Sequence, residues 1–284
     1  MKVAVLSDVQ GNLPAMEVAV EGILAAAPDL VLMDGDLVNR GPSSLACLDL
    51  FERLQRERGW LPLKGNHETW VLRCAREAPH SPLDAELRRF ADWTARQLGP
   101  RLQTLADWPD HLCFHAGPDD SWVHVTHGTL ASNRQGVTAG IPDAELRGAL
   151  PLDVALFVTA HTHRPLTRTV DGLPILNVGS VGAPFDGDPR GSYALLEFSR
   201  GTWHGEIVRF DYDRRRTERD FRESGFLAEG GPLAAILFEE WRQARLLMPL
   251  WRRDQEPAVL AGERTLDAAV ADFLTSIDRP SRAT

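Results

Sequence analysis

Three short apolar stretches near the N-terminus, separated by two helical patterns, constrain the fold of this chain most strongly. The apolar stretches are Val3–Leu6, Leu30–Met33 and Trp60–Leu63, and apolar residues recur at helical spacing over Pro14–Ala27 and Ser43–Arg58. Strands that alternate with helices in this way lie parallel in one sheet, because each helix returns the chain to the end where the preceding strand began. The sequence therefore predicts an α/β fold.

The rest of the chain supplies further strands and a helical tail. Residues 68–108 are predicted to be mostly helical, residues 211–224 to form a solvated helix of mixed charge, and the chain from Leu233 onward to be helical and amphipathic. We therefore expect one domain over residues 1–224 and a C-terminal helical extension over residues 225–284. Five further strands are predicted at Trp122–Thr126, Val154–Ala160, Leu173–Val178, Tyr193–Phe198 and Gly205–Phe210.

The overall charge is acidic, which argues against two classes of partner. Lys and Arg total 31 against 40 Asp and Glu, a net charge of −9. Such a chain lacks the positive field that drives bulk nucleic-acid binding or attachment to anionic membranes, although a metal centre can still attract a small anionic substrate. No run approaches the length of a membrane span. The three cysteines form no CxxC pair, which is typical of reduced thiols, so we expect a cytoplasmic protein.

Side chains that bind metals follow five of the predicted strands, at the point where each strand ends. In open α/β sheets, ligand sites form beyond the carboxyl ends of the strands. Carboxylates, imidazoles and amide oxygens together suit a pair of divalent cations. One such residue alone is better explained as a turn or core residue, whereas five strand ends that all carry them predict a metal site. The residues are Asp8 and Gln10, Asp36, Asn66 and His67, His127, and His161 with His163.

The order of these residues resembles the calcineurin-like metallophosphoesterases, whose pattern is D-x-H, GDxxxxG, GNH[ED], HG and GHTH. This chain has DVQ at 8–10, GDLVNRG at 35–41, GNHE at 65–68, HG at 127–128 and AHTH at 160–163. The resemblance spans about residues 1–210. WTARQL at 93–98 and NVGS at 177–180 further resemble the bacterial subgroup described as diadenosine-tetraphosphatase-related or YfcE-like. The resemblance implies a two-sheet β-sandwich flanked by helices in four layers (αββα), with residues 68–108 as a helical cap.

The same resemblance implies a role for each site residue. The first metal is held by Asp8, Asp36 and His163, and the second by Asp36 as the bridge together with Asn66, His127 and His161. His67 protonates the leaving alkoxide or stabilises the phosphoryl oxygens, and Arg40 binds phosphate. The implied activity is metal-dependent hydrolysis of a small phosphate ester or diester, nucleotidic in character, by attack of a hydroxide that bridges the two metals.

Two residues depart from the family pattern. Gln10 replaces a histidine and either ligates the first metal through its side-chain oxygen or hydrogen-bonds a metal-bound water. The loss of an imidazole favours Mn²⁺, with Mg²⁺, Fe, Zn²⁺ and Ni²⁺ as alternatives. Asn39 stands where related phosphatases carry an aspartate, so we expect a backbone carbonyl or another acid to orient His67. Asn133 and Arg134 follow the His127 loop and are candidate substrate contacts.

Two alternative functions remain open from the sequence. Arg40 also suits a Ser/Thr protein phosphatase or a dinucleoside polyphosphate hydrolase, because a guanidinium binds two phosphate oxygens at once. Gln10 is compatible with a non-catalytic binding scaffold. The expected partner is a small phosphorylated substrate, and the C-terminal helices are a candidate surface for a homodimer.

Overall fold

The first sheet is built on three parallel strands whose connecting helices lie on one face. The computed structural model describes residues 1–117 and 121–277. In it, β1 (Lys2–Leu6) pairs with β2 (Leu30–Asp34), and β2 pairs with β3 (Leu61–Leu63). The helices α1 (Leu13–Ala26) and α2 (Ser44–Arg58) connect them. The predicted succession of parallel strands and helices is confirmed.

Two long strands from the second half of the chain complete the first sheet. β9 (Gly191–Ser199) pairs antiparallel with β1, and β10 (Thr202–Phe210) pairs antiparallel with β9. The order across the sheet is therefore β10-β9-β1-β2-β3. The N-terminal strand becomes the centre of the sheet, which places the residues that follow it in the middle of one edge.

The second sheet has the order β4-β5-β6-β8-β7. β5, β6 and β8 are parallel, whereas the outer strands β4 and β7 are antiparallel to their neighbours. The sequence did not predict β4 or β7, because edge strands alternate exposed and buried side chains and lack a continuous apolar run. The strands are β4 (His111–Phe114), β5 (Val123–Thr126), β6 (Leu156–Thr159), β7 (Leu166–Val170) and β8 (Leu173–Asn177).

The two sheets pack face to face, and the period of two along each strand decides which core each side chain joins. Val3 and Val5 of β1 lie in the core between the sheets, together with Val125 of β5. Ala4 and Leu6 point the other way and pack against the helices. The predicted two-sheet α/β fold flanked by helices is confirmed.

The segment between β3 and β4 is helical, as predicted. It contains α3 (Asn66–Arg76), α4 (Pro82–Leu98) and α5 (Leu102–Ala106), and Ser81 caps α4 by accepting a hydrogen bond from the backbone N–H of Asp84. A short helix, α6 (Asp143–Leu146), lies between β5 and β6.

The C-terminal helices share a hydrophobic core with α1, α2 and α4. The rings of Trp93 in α4 and Phe226 in α8 meet edge to face with centroids 5.2 Å apart. Trp251 in α10 is fully buried. None of the described helices combines the length and the apolar character needed to cross a membrane. The helices are α7 (Arg214–Glu223), α8 (Phe226–Glu229), α9 (Leu233–Gln243), α10 (Met248–Asp254), α11 (Glu256–Leu260) and α12 (Leu266–Ile277).

The boundary at residue 224 stays a prediction, and residues 278–284 of the extension lie outside the described residues. The shared core gives this boundary a test. Trp251→Ala is expected to lower the free energy of unfolding by about 3–5 kcal/mol within one cooperative transition, measured by urea denaturation. The matched control is Leu260→Ala, because Leu260 is 62% exposed. A separate transition of the C-terminal helices, with the main transition unmoved, would contradict the shared core.

Candidate metal centre

The loops that follow β1, β2, β3, β5 and β6 meet at one edge of the sandwich. Asp8, Asp36 and His163 adopt positive φ angles of 53°, 54° and 56°. Gln10 and His161 do so as well, at 50° and 67°. Non-glycine residues rarely adopt this left-handed backbone, and such strain is typical of functional sites. The strained turns bring side chains that are distant in sequence to a common centre.

Two clusters of metal-binding atoms form at this edge, and they share one residue. Ligand atoms of Asp36, His127 and His161 lie within 4.8 Å of one another, and the same holds for Asp8, Asp36 and His163. Asp36 is therefore the residue that belongs to both clusters. Asn66 joins the cluster of Asp36, His127 and His161, because its Oδ1 is 3.1 Å from His127 Nε2 and 2.7 Å from His161 Nδ1.

The directions of the imidazoles show that the donor set fits cations. His127 Nδ1 is 2.8 Å from the carbonyl oxygen of Asp34, so that nitrogen carries the proton and Nε2 presents a lone pair. That lone pair faces Asn66 Oδ1 and, at 3.3 Å, Asp36 Oδ2. Acceptors that face one another in a buried site require a proton or a cation between them.

His163 has the same arrangement in the cluster of Asp8, Asp36 and His163. Its Nδ1 lies 2.5 Å from the carbonyl oxygen of Ala183, and its Nε2 faces Asp8 Oδ1 at 3.0 Å. With the proton on Nδ1, Nε2 has none to donate, and Asp8 Oδ1 is a buried oxygen without a hydrogen-bond donor among the described residues. This contact likewise requires positive charge.

The pKa shifts of the site residues also indicate that the site requires positive charge. Burial opposes a charge on His127, but the carboxylates of Asp36 and Asp8 raise its pKa well above its usual value. Burial also opposes ionisation of Asp36, yet His127 and His67 hold the pKa of that carboxyl below its usual range. The pKa of His161 falls to about 4, because the ring is buried and lies beside His127. A cation would supply the charge that a proton on His127 otherwise provides.

Glu68 fixes the two loops that carry Asp36 and His67. Its buried carboxylate accepts hydrogen bonds from the backbone N–H groups of Asp36 at 2.7 Å, Val38 at 3.2 Å and Gly65 at 2.8 Å. Sequence reasoning gave Glu68 no role, although the last letter of GNHE marked it. Gly65 is required here, since a Cβ atom would lie 2.1 Å from Asp36 Oδ1.

Gln10 is buried beside the cluster of Asp8, Asp36 and His163. Its Nε2 is 3.3 Å from Asp36 Oδ2 and 3.4 Å from His163 Nε2, whereas its Oε1 has no hydrogen-bond partner among the described residues. In this orientation the amide nitrogen faces the carboxylate. The choice between a metal ligand and a hydrogen-bonding role for Gln10 stays a prediction.

His67 points its Nε2 toward Asp36 Oδ2, 3.9 Å away. The expectation that a backbone carbonyl or another acid orients the ring is wrong, because Asn39 Nδ2 lies 2.9 Å from His67 Nδ1. An amide that donates to Nδ1 leaves the ring proton on Nε2. Burial and the charge of Arg40 lower the pKa of His67 to about 3, although Asp36 opposes this shift.

Arg40 lines the same cleft, and its charge is paired. The guanidinium donates through Nη2 to Glu240 of α9, a partner that sequence reasoning missed because it lies 200 positions away. The cleft holds about 270 Å³ and is lined by Asp36, Arg40, Asn66, His67, Gly136, Thr138, His161, Thr162, His163, Arg164, Phe185 and Leu246.

Asn133 and Arg134 lie beside α3 and do not line this cleft. Asn133 Nδ2 donates to Thr69 Oγ1 at 3.2 Å, and the Arg134 guanidinium lies 6.0 Å from the ring centroid of Trp70. Their substrate contacts stay a prediction.

Comparison with known proteins addresses the fold and the family. The family model described as calcineurin-like phosphoesterase matches residues 1–165. A metallophosphoesterase from Sphaerobacter thermophilus is 26% identical, with a TM-score of 0.68 over 86% of this chain and 99% of that one. The hypothetical protein PH1004 from Pyrococcus horikoshii OT3 is 19% identical, with a TM-score of 0.69 over 82% and 97% of the two chains.

A third structure, the phosphoesterase Yfce from E. coli, is 22% identical over 69% of this chain and 88% of that one. Its TM-score is 0.44, and membership of the YfcE-like subgroup stays a prediction. No curated protein matches this sequence. The family model covers more than half of the chain, including every residue of the two clusters. The chain therefore belongs to the calcineurin-like phosphoesterase family.

Proposed function

We propose that this metal-dependent phosphoesterase hydrolyses a small phosphate ester or diester, nucleotidic in character, with Mn²⁺ as its metal. The observation that carries the proposal is the pair of ligand clusters that share Asp36 at the floor of a cleft. A cleft of about 270 Å³ accommodates a phosphoryl group and a small organic substituent. A cytoplasmic location and a homodimer through the C-terminal helices stay predictions.

The chain's own residues divide the work of the reaction. Asp36 belongs to both clusters, Asp8 and His163 would hold one cation with it, and Asn66, His127 and His161 would hold the other. When bound, a pair of cations lowers the pKa of water and neutralises phosphoryl oxygens.

His67 acts from the side of Asp36. With its pKa lowered to about 3, His67 is neutral near pH 7 and keeps a proton on Nε2. We infer that this N–H donates to a phosphoryl or leaving oxygen, which favours stabilisation over delivery of a proton from an imidazolium. Arg40, which lines the same cleft, contacts the phosphate.

The first prediction from the proposed function concerns turnover and His67. Protein stripped of metal and reloaded with Mn²⁺ is expected to hydrolyse bis-p-nitrophenyl phosphate or p-nitrophenyl phosphate, followed by release of nitrophenolate. His67→Ala is expected to lower kcat at least about 100-fold, because a donor to the reacting oxygens is lost, while two equivalents of Mn²⁺ stay bound. His204→Ala is the control, because His204 is exposed on β10.

The substrate panel separates the alternatives. Preference for the monoester and phosphopeptides favours a protein phosphatase, and turnover of diadenosine tetraphosphate favours a polyphosphate hydrolase. A metal-loaded protein that hydrolyses no ester, anhydride or phosphopeptide above the buffer rate would overturn the enzymatic proposal in favour of a binding scaffold.

The second prediction concerns position 10. Gln10→His is expected to tighten the weaker Mn²⁺ site about tenfold, because an imidazole is a stronger ligand than an amide. The measurement is Mn²⁺ titration followed by electron paramagnetic resonance. Gln10→Ala separates the two roles of the native side chain: a ligand loses the weaker site, and a hydrogen-bonding residue keeps it. An unchanged titration of Gln10→His would show that position 10 does not face a cation.

The third prediction concerns the pH dependence of His67. Asn39→Asp places a carboxylate beside Nδ1, which raises the pKa of His67 toward about 6. The ratio of kcat/KM between this variant and the wild type is then expected to rise as the pH falls from about 8 to about 5, because an imidazolium is the stronger donor. Gln103→Glu adds the same charge at an exposed position of α5 and is the control. A ratio that is independent of pH contradicts this role of Asn39.

A further inference from the structure

A carboxylate from the C-terminal helices reaches the wall of the cleft. Glu240 in α9 accepts a hydrogen bond from Arg40 Nη2, and the two side chains are only 1% and 13% exposed. Glu240 lies outside residues 1–165, the part of the chain that the family model matches. The contact therefore joins a segment without family assignment to the candidate metal centre.

Glu240 is itself held in place. Its Oε1 accepts hydrogen bonds from the backbone N–H groups of Leu247 and Met248, both at 2.7 Å. This leaves Oε2 for the guanidinium of Arg40. Because both carboxylate oxygens are engaged, Glu240 is a fixed anchor.

The position of Arg40 is determined by this anchor and by one ring. Its guanidinium carbon lies 5.4 Å from the ring centroid of Phe185, and that ring stacks on His163 with centroids 4.2 Å apart. Within the described residues, Glu240 is the one hydrogen-bond partner of the Arg40 guanidinium. The remaining N–H groups of Arg40 are therefore available to a ligand in the cleft, which Arg40 lines together with Leu246.

We propose that Glu240 is a positioning residue that holds Arg40 at the cleft so that its remaining N–H groups bind the phosphoryl oxygens of the substrate. The proposal rests on the proposed function for the identity of the ligand. An unpaired arginine loses rotamer freedom when it binds, whereas a guanidinium already pinned by a carboxylate does not. The negative charge of Glu240 repels phosphate. Two backbone N–H groups and Arg40 donate to this carboxylate, so we expect the gain from fixing Arg40 to exceed that repulsion.

The test is Glu240→Gln, with Glu239→Gln as the matched control. A glutamine keeps Oε1 as the acceptor for the N–H groups of Leu247 and Met248, but it turns an NH₂ group toward Arg40 and releases the guanidinium. Glu239 precedes it in α9 and pairs with Arg242. Titration calorimetry of the manganese-loaded proteins with inorganic phosphate gives the binding constant, and p-nitrophenyl phosphate turnover separates KM from kcat.

Glu240→Gln is expected to weaken phosphate binding and raise KM about 5–10-fold, with kcat within about threefold of the wild type and Glu239→Gln unchanged. A double-mutant cycle with Arg40→Met then assigns the effect. Since Glu240 acts through Arg40, adding Glu240→Gln to Arg40→Met is expected to cause no further loss of phosphate binding.

Three results overturn the proposal: unchanged phosphate binding in Glu240→Gln, tighter binding, which would show that Glu240 competes with phosphate for Arg40, and an equal loss in the Arg40→Met background, which would show a purely structural role. If Glu240→Gln does not fold, Arg40→Lys carries the test. A lysine ammonium bound to Glu240 keeps free N–H donors but lacks the planar fork that binds two phosphate oxygens at once, so binding is expected to weaken at least fivefold, and unchanged binding overturns the proposal. Phosphate titration needs no turnover, so absence of hydrolysis in the wild type rejects the proposed function separately.

Discussion

The buried negative charge of Asp36 is the constraint on which the rest of the site depends. A carboxylate at a sheet edge without access to water is stable only beside positive charge or several donors. The backbone N–H of His67 donates to its Oδ1 at 2.7 Å, and His127 faces its Oδ2. The two ligand clusters exist because both form around this one side chain.

The loops around Asp36 adopt unfavourable backbone conformations. Left-handed residues recur in each of the loops after β1, β2 and β6. Such turns persist only where the surroundings hold them. Glu68 does so for the loops after β2 and β3, and Ser180 does so after β1 by donating to the carbonyl oxygen of Asp8 at 2.8 Å. The sandwich thus supplies a rigid frame for strained loops that aim their side chains at one point.

The sequence predicted the parts of the molecule in which local pattern and global fold agree. Continuous apolar runs identified the central strands, and the residues after those runs include the members of the two clusters, because parallel strands end at a common edge. The edge strands β4 and β7 had no such signal. The orientation of His67 by Asn39 could not be predicted either, since it depends on the conformation of a side chain in a strained loop.

The pairing of Arg40 with Glu240 shows the limit more sharply. Neither residue carries a local signal for the other, and the contact forms because α9 joins the hydrophobic core that also contains residues of α1, α2 and α4. A motif describes residues that are near one another in sequence or repeat in a family. Arg40 and Glu240 are 200 positions apart, and Glu240 lies outside residues 1–165 that the family model matches, so no motif predicted their contact.

The distance between these two residues along the chain also has a consequence for biosynthesis. Every member of the two ligand clusters has been translated once His163 is added, whereas Glu240 is added only afterwards. The strands of both sheets are also translated before α9, so the nascent chain contains Arg40 for a time without its partner Glu240. A chain released before α9 is translated would contain every residue of the two clusters. It would lack Glu240, the carboxylate that holds Arg40 at the cleft.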